Sequence, residues 1–249
     1  MHVLAVRGAP DERTAVAEAL VERLEQEGTV ATVTRPDAEP VLEGREGDRY
    51  GSHSSGRHYR LGEEAWTATG DVRTLDGVLD EAAPRSDYAV VEGFEETTLP
   101  TVVVGNREVT GERVLDRIPS SEKLDVDALV AELEATDPYE TLESLVARVK
   151  RSPDSERAGA IATFTGRVRA KEHDDDAPTE YLEFERYDEV ATERMTDIRE
   201  ELEARDGVHE VVMHHRTGVV EAEEDIVFVV VLAGHRPERS EERRVGKEC

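Results

Sequence analysis

Cationic side chains gather at three places in the second half of a strongly acidic chain. Arg167 and Arg169 follow the apolar stretch "AIATFTG". His214, His215 and Arg216 close "VHEVVMHHR", and His235 and Arg236 follow "VFVVVLAG". Residues two apart on an extended chain lie on one side of it, so Arg167 and Arg169 share a side. Arginine presents a planar fork of donors that suits phosphate and carboxylate. A histidine near its ordinary pKa can carry protons. The chain has 58 acidic against 31 basic side chains and a formal net charge of −27. Three cationic clusters at strand ends in such a chain predict a pocket for an anion. His214 and His215 are strand neighbours and face opposite ways, so a shared metal is not expected there. No metal site is predicted.

A second place for chemistry lies near the N-terminus. An apolar run, Gly8, and then a helical pattern is where a phosphate-binding loop would sit. The sequence after Gly8 is "APDERT". The second glycine of such a loop is missing, and Arg13-Thr14 stands where Lys-Thr would, one residue short. Pro10 has no backbone N–H to offer a phosphate. Two readings stay open. Gly8, Arg13 and Thr14, with Glu92 holding a metal through water, could form a weak site for GTP and magnesium. Alternatively this is an ordinary strand–loop–helix corner, with Asp11 capping the helix and Glu92 a solvated carboxylate at a strand end.

The elements that must position these residues follow from periodicity. "HVLAVR" (2–7) reads as a strand, and Val16, Leu20 and Leu24 recur on one face of the helix after it, with Gly28 near its end. "TVATVTR" is the next strand, so the chain opens β–α–β, which predicts a parallel sheet. From Glu39 to Gly70 no period is clear, and a long loop is expected. A helix around Leu75, Val78 and Leu79 and strands at "DYAVVEGF" and "TVVVG" complete an α/β unit over residues 1–118. Within "DRIPSSEKLD", residues 119–124 read as a linker. Helices over 125–135 and 138–151, a strand from Ala158, "YLEFERY", a helix over 188–205, and the strands "VHEVVMHHR" and "DIVFVVVLA" make the remainder α+β.

Composition sets further bounds. Arginine dominates the basic residues, with lysine only at 123, 150, 171 and 247. Acid spread along the whole length, with arginine in place of lysine, reads as adaptation to a salt-loaded cytoplasm of the haloarchaeal kind. No basic stripe suggests nucleic acid. No stretch approaches the ~20 apolar residues of a membrane span. The N-terminus does not read as a signal peptide, and a single cysteine excludes an internal disulfide framework. A cytoplasmic location is the expectation.

Two resemblances sharpen this. "RYGSHSSGRHYRLGEEAW" followed by "DYAVVEGFEETTLPTVVV" resembles the MobB proteins of molybdopterin guanine dinucleotide biosynthesis, through Asp48, Gly51 and Ser54 and through Val91-Glu92-Gly93-Phe94. The resemblance covers about the first 110 residues. It implies a P-loop GTPase type of fold for residues 1–118. "GAIATFTGRVR", "HHRTG" and "DIVFVVVLAGHR", in that order, resemble MoaE, the large catalytic subunit of molybdopterin synthase, over residues 125–238. That resemblance implies an α+β hammerhead fold and a homodimer. It also implies a small MoaD-like sulfur carrier whose C-terminal Gly-Gly thiocarboxylate enters the site. Two sulfurs then pass to cyclic pyranopterin monophosphate, making the dithiolene of molybdopterin. Carried over by motif, Arg167, Val168 and Arg169 line the substrate site, and His235 and Arg236 hold the pterin phosphate. His215 and Arg216 support the fold or the dimer. No tightly bound cofactor is expected.

In the MoaE family a segment bearing the catalytic lysines follows the His-Arg motif. Here "RSEERRVGKEC" (239–249) follows instead. It reads as sequencing adapter translated in frame, which makes 125–238 an incomplete domain and leaves this chain inactive. Lys247 and Cys249 then carry no function. The expected function is sulfur transfer in molybdenum cofactor biosynthesis. The alternatives are a non-catalytic scaffold for the carrier or a cofactor intermediate, and a GTP-dependent MobB-type accessory protein.

Overall fold

A computed structural model describes residues 1–35, 58–61, 63, 66–69, 73–95, 97–106, 113–171, 173, 177–184, 188–216 and 218–234. Asp48, Gly51, Ser54, His235, Arg236 and the stretch 239–249 lie outside the described residues, as does most of the expected loop after Glu39.

Two compact units are present. The first spans Met1–Ala82 and Ser86–Tyr139; the second takes Ala83–Arg85 and the chain from Glu140 onward. In the first, β1 (His2–Arg7), α1 (Pro10–Leu24) and β2 (Val30–Thr34) form the predicted opening. A small antiparallel pair, β3 (His58–Leu61) and β4 (Trp66–Thr69), precedes α2 (Leu75–Ala82), β5 (Tyr88–Glu92), β6 (Thr101–Val104) and β7 (Val114–Ile118). The main sheet runs β2-β5-β1-β6-β7, with every pair parallel. A central parallel strand is covered on both faces, so its sequence is apolar throughout rather than alternating. β5 is buried along its full length, and β1 is buried in all but its first residue.

Helix α1 begins two residues before the place that a capping Asp11 would require. Ala9 is the N-cap and makes no side-chain capping bond, and Pro10 occupies the first turn. Proline has a pre-set φ and no N–H to orphan, so it starts a helix well. Asp11 is thereby drawn inside the helix and does not cap it.

The division between units also differs from the expected 119–124 linker. Residues 121–123 form a short 3-10 helix, and α3 (Val126–Glu134), capped by Asp125, packs into the first unit. Leu129, Val130 and Leu133 join Leu4, Val6, Val16, Leu20, Leu24, Val90 and Val102 in one core. Each fully buried leucine contributes roughly 2 kcal/mol by transfer from water. The apolar stripe of α3 is spent on the first core, so the first unit extends to Tyr139.

The second unit contains α4 (Leu142–Lys150), β8 (Ala160–Arg167), β9 (Tyr181–Phe184), α5 (Asp188–Glu203), β10 (Val208–His215), β11 (Gly218–Glu221) and β12 (Asp225–Ala233). Thr141 and Ser144 form a reciprocal capping box that starts α4. The sheet runs β10-β12-β8 and is antiparallel; β9 and β11 form a separate antiparallel pair. Leu145 and Val149 of α4 cover one face of the larger sheet, against Val212, Phe228, Val230 and Leu232. The strict alternation of burial along β12 reflects that single covered face.

Candidate functional site

The first candidate corner lies at the C-terminal edge of the parallel sheet, where ligands of open α/β sheets ordinarily sit. Gly8, directly after β1, lies against β6. A Cβ there would meet both Cβ and the carbonyl oxygen of Val104 at 3.0 Å, so any larger residue would require Val104 to give way. Arg13 and Thr14 sit in the first two turns of α1, and Glu92 ends β5. All three converge. The Arg13 guanidinium donates to Glu92 Oε1 at 3.1 Å, and the Thr14 hydroxyl donates to the same oxygen at 2.5 Å. Arg13 is 6% and Glu92 8% exposed. Beside them opens a cavity of about 460 Å³ lined by Pro10, Asp11, Arg13, Thr14, Glu18, Thr34 and Glu92, among others. Glu92 is therefore not the solvated strand-end carboxylate of the simpler sequence reading.

The rest of the "VEGF" stretch is explained here too. Gly93 has φ +84° and lies against the Arg35 carbonyl. The Arg35 N–H donates to the Glu92 carbonyl at 2.8 Å. Its guanidinium lies 4.2 Å from the centre of the Phe94 ring.

The second candidate is the arginine pair after β8. Arg167 is half clamped. Its Nε donates to the Glu223 carbonyl at 3.0 Å, its Nη2 reaches the same oxygen, and Asp225 lies 3.4 Å away. Glu223 has φ 70°, the left-handed region disfavoured for a residue with a side chain. Val168 does not line a surface site. It is 3% exposed and packs with Val220 and Ile226, and its backbone pairs with Glu224 and Glu223. Arg169 is exposed and makes no hydrogen bond or ion pair among the described residues. Val168 thus anchors the segment, Arg167 is pinned to the β11–β12 turn, and the donors of Arg169 meet no partner among the described residues.

His214 stacks on Phe228 with ring centres 6.3 Å apart, and the Arg216 guanidinium lies 5.7 Å from the same ring. His214 pairs with Phe228 and His215 with Val227 across β10 and β12, so the two histidines face opposite sides as expected. Among the described residues no group of three or more His, Cys, Asp or Glu could hold a metal ion.

Two of the three clusters lie at one end of the second unit's sheet, while His235 and Arg236 lie outside the described residues. Arg167 pairs with Asp225 at the start of β12, and Gly166 with Val227, where His215 also pairs. His235 and Arg236 follow Gly234, at the other end of β12, where Ala233 pairs with Ala160 and Val208. Eight strand residues separate those ends, roughly 25 Å at ~3.3 Å per residue. Sequence motifs give membership of a site, but antiparallel register decides which strand ends are neighbours. At the Gly234 end opens a cavity of about 620 Å³ lined by Lys150, Ser155, Glu156, Gly159, Ile161 and Leu232, among others. The motif reading did not single out Lys150; its place at the C-terminus of α4, facing the start of β8, is a packing outcome.

Comparison with known proteins supplies the family. The family described as MoaE protein matches residues 134–244. A solved MobB protein homologue from Bacillus stearothermophilus is 20% identical, covers 55% of this chain and 100% of its own, and superposes with a TM-score of 0.40. A molybdopterin synthase catalytic subunit from Pyrococcus abyssi is 37% identical over 87 residues, which is 35% of this chain and 57% of that protein. This chain therefore spans little more than half the length of that relative. A probable molybdopterin synthase from Haloferax volcanii is 47% identical over 241 residues, covering 96% of this chain and 87% of that protein. On that identity over most of both sequences, the chain belongs to the molybdopterin synthase family.

Proposed function

We propose that the second unit is a molybdopterin synthase catalytic subunit, transferring sulfur from a carrier thiocarboxylate to cyclic pyranopterin monophosphate in molybdenum cofactor biosynthesis. The observation that carries this reading is Arg169. In a chain with 58 acidic side chains, an exposed guanidinium left without a partner among the described residues is a ready anion binder. Its neighbours hold it in place, through the burial of Val168 and the double contact of Arg167 with Glu223. Arg169 takes an oxygen of the substrate phosphate or the oxyanion formed when the thiocarboxylate is attacked. His235 and Arg236 complete the phosphate site, with His235 able to move a proton. The carrier's extended C-terminal tail enters along the cavity at the Gly234 end.

The separation of Arg169 from residue 234 supports a homodimer. A second copy, related by a two-fold axis, brings His235 and Arg236 of one subunit to Arg169 of the other. Strand β8 is suited to such a contact. It pairs only with β12 among the described residues, carries no charge before Arg167, and exposes Phe164 by 63% and Ile161 by 37%. Uncovered apolar edges of this kind are ordinarily blunted by charge or covered by a partner.

Titration of cyclic pyranopterin monophosphate against the chain and Arg169→Ala tests the reading. Loss of one charge-assisted phosphate contact weakens binding by about 10–100-fold. Equal affinities in the two chains reject the site.

A further inference from the structure

The resemblance of the first unit to P-loop GTPases implies GTP and magnesium at the corner after β1. The residues present do not fit that ligand. A phosphate loop works by offering uncommitted backbone N–H groups, a basic side chain and a hydroxyl to phosphate and its metal. Here one backbone N–H is missing and both side-chain donors are taken. Pro10, in the first turn of α1, supplies no N–H. The Arg13 guanidinium is buried against Glu92, and the Thr14 hydroxyl donates to the same carboxylate oxygen. Glu12, in the first turn, accepts from the Ser121 N–H at 2.6 Å, which ties the helix start to the 3-10 turn. The adjoining cavity is lined by Asp11, Glu18 and Glu92 against Arg13, so its charge repels a triphosphate.

We propose that Glu92 is the resident anion of this corner: its carboxylate occupies the place of a phosphate, and the first unit is a nucleotide-independent module. Glu92 satisfies the buried guanidinium and the hydroxyl at once. A buried charge is tolerable only when paired and hydrogen-bonded, and the converging contacts meet that condition. Arg13 and Thr14 are therefore kept to complete an internal ion pair, and a ligand would have to break it before binding. This inference concerns the first unit and is independent of the sulfur-transfer reading.

The test uses the full chain, with fluorescent GTP and magnesium as one probe and inorganic pyrophosphate as the other. The wild-type chain shows no saturable GTP binding to about 1 mM. Arg13→Gln leaves Glu92 buried and uncompensated, and the melting temperature falls by about 10 °C. Adding Glu92→Gln to Arg13→Gln recovers at least half of that loss. Glu92→Gln alone keeps the shape but removes the negative charge that Arg13 faces, and pyrophosphate then raises its melting temperature while leaving the wild type unmoved. If Glu92→Gln does not fold, the recovery in the double variant decides. Three results overturn the proposal: saturable GTP binding by the wild type, an Arg13→Gln chain that melts like the wild type, or a folded Glu92→Gln chain indifferent to pyrophosphate.

Discussion

Glu92-Gly93-Phe94 shows how much a short stretch can carry at the scale of single residues. Glu92 takes the proton donors of Arg13 and Thr14, Gly93 makes the turn, and Phe94 receives the Arg35 guanidinium. The sequence makes the glycine conspicuous but does not say why it must be one. The structure does, since φ +84° and the Arg35 carbonyl leave no room for a Cβ. Gly93→Ala combines left-handed strain with overlap against a backbone oxygen, which a side chain could not relieve by turning aside. It should destabilise the first unit by about 3 kcal/mol or more, read from urea unfolding. Loss of less than ~1 kcal/mol would show that the turn relaxes easily. Arg169 was legible as an anion binder from type and spacing alone. Val168 was not legible as an anchor, because a valine between two arginines reads the same whether it is buried or exposed.

Elements were legible where their periods were long and unbroken. Strands β1, β5 and β12 and helix α1 stand out by their apolar runs, since burial selects residues that a pattern can count. Strands β7 and β11 escaped, because "VLDRI" and "GVVE" are short and lack a pattern of their own. Helix α3 was legible as a helix but not as part of the first core, because an apolar stripe does not name the surface it meets. Its approach is fixed by the turn before it, where the Ser121 N–H holds the Glu12 carboxylate below its ordinary pKa of 4.5. Glu27 is likewise lowered, chiefly by its bond with Arg23. For such groups the stabilisation is present above the unfolded value and is lost as pH falls through the folded one. Melting temperature should therefore drop below about pH 4.5, and Glu12→Gln should flatten that acid limb. An unchanged acid limb would remove Glu12 from the account. At the alkaline end Tyr88, buried and donating to Glu134 at 2.7 Å, is pushed up to about 12. Its neutral form stabilises below pH 10, and that contribution fades between pH 10 and about 12. Tyr88→Phe should remove this alkaline loss.

At the scale of the whole molecule, the ordered motifs of the second unit identify a family yet hide a division. They read as one pocket because the sequence brings three cationic clusters to strand ends. The β10-β12-β8 register assigns those ends to opposite sides of one sheet, with Arg167 opposite Asp225 and Ala160 opposite Ala233. In the proposed homodimer each chain contributes one half to each of two sites. That arrangement has a consequence that a single-chain site lacks. Arg169→Ala homodimers and His235→Ala/Arg236→Ala homodimers should each fail to bind cyclic pyranopterin monophosphate tightly. A mixed dimer places both lesions at one interface site and leaves the other site whole. Its binding stoichiometry should approach one substrate per dimer, with wild-type affinity at that site. Affinity tags of two kinds isolate the mixed species, and calorimetry reads the stoichiometry. A mixed dimer with no tight site would place Arg169 and the His-Arg pair in the same subunit's pocket, and would require the chain after Gly234 to travel back along the sheet.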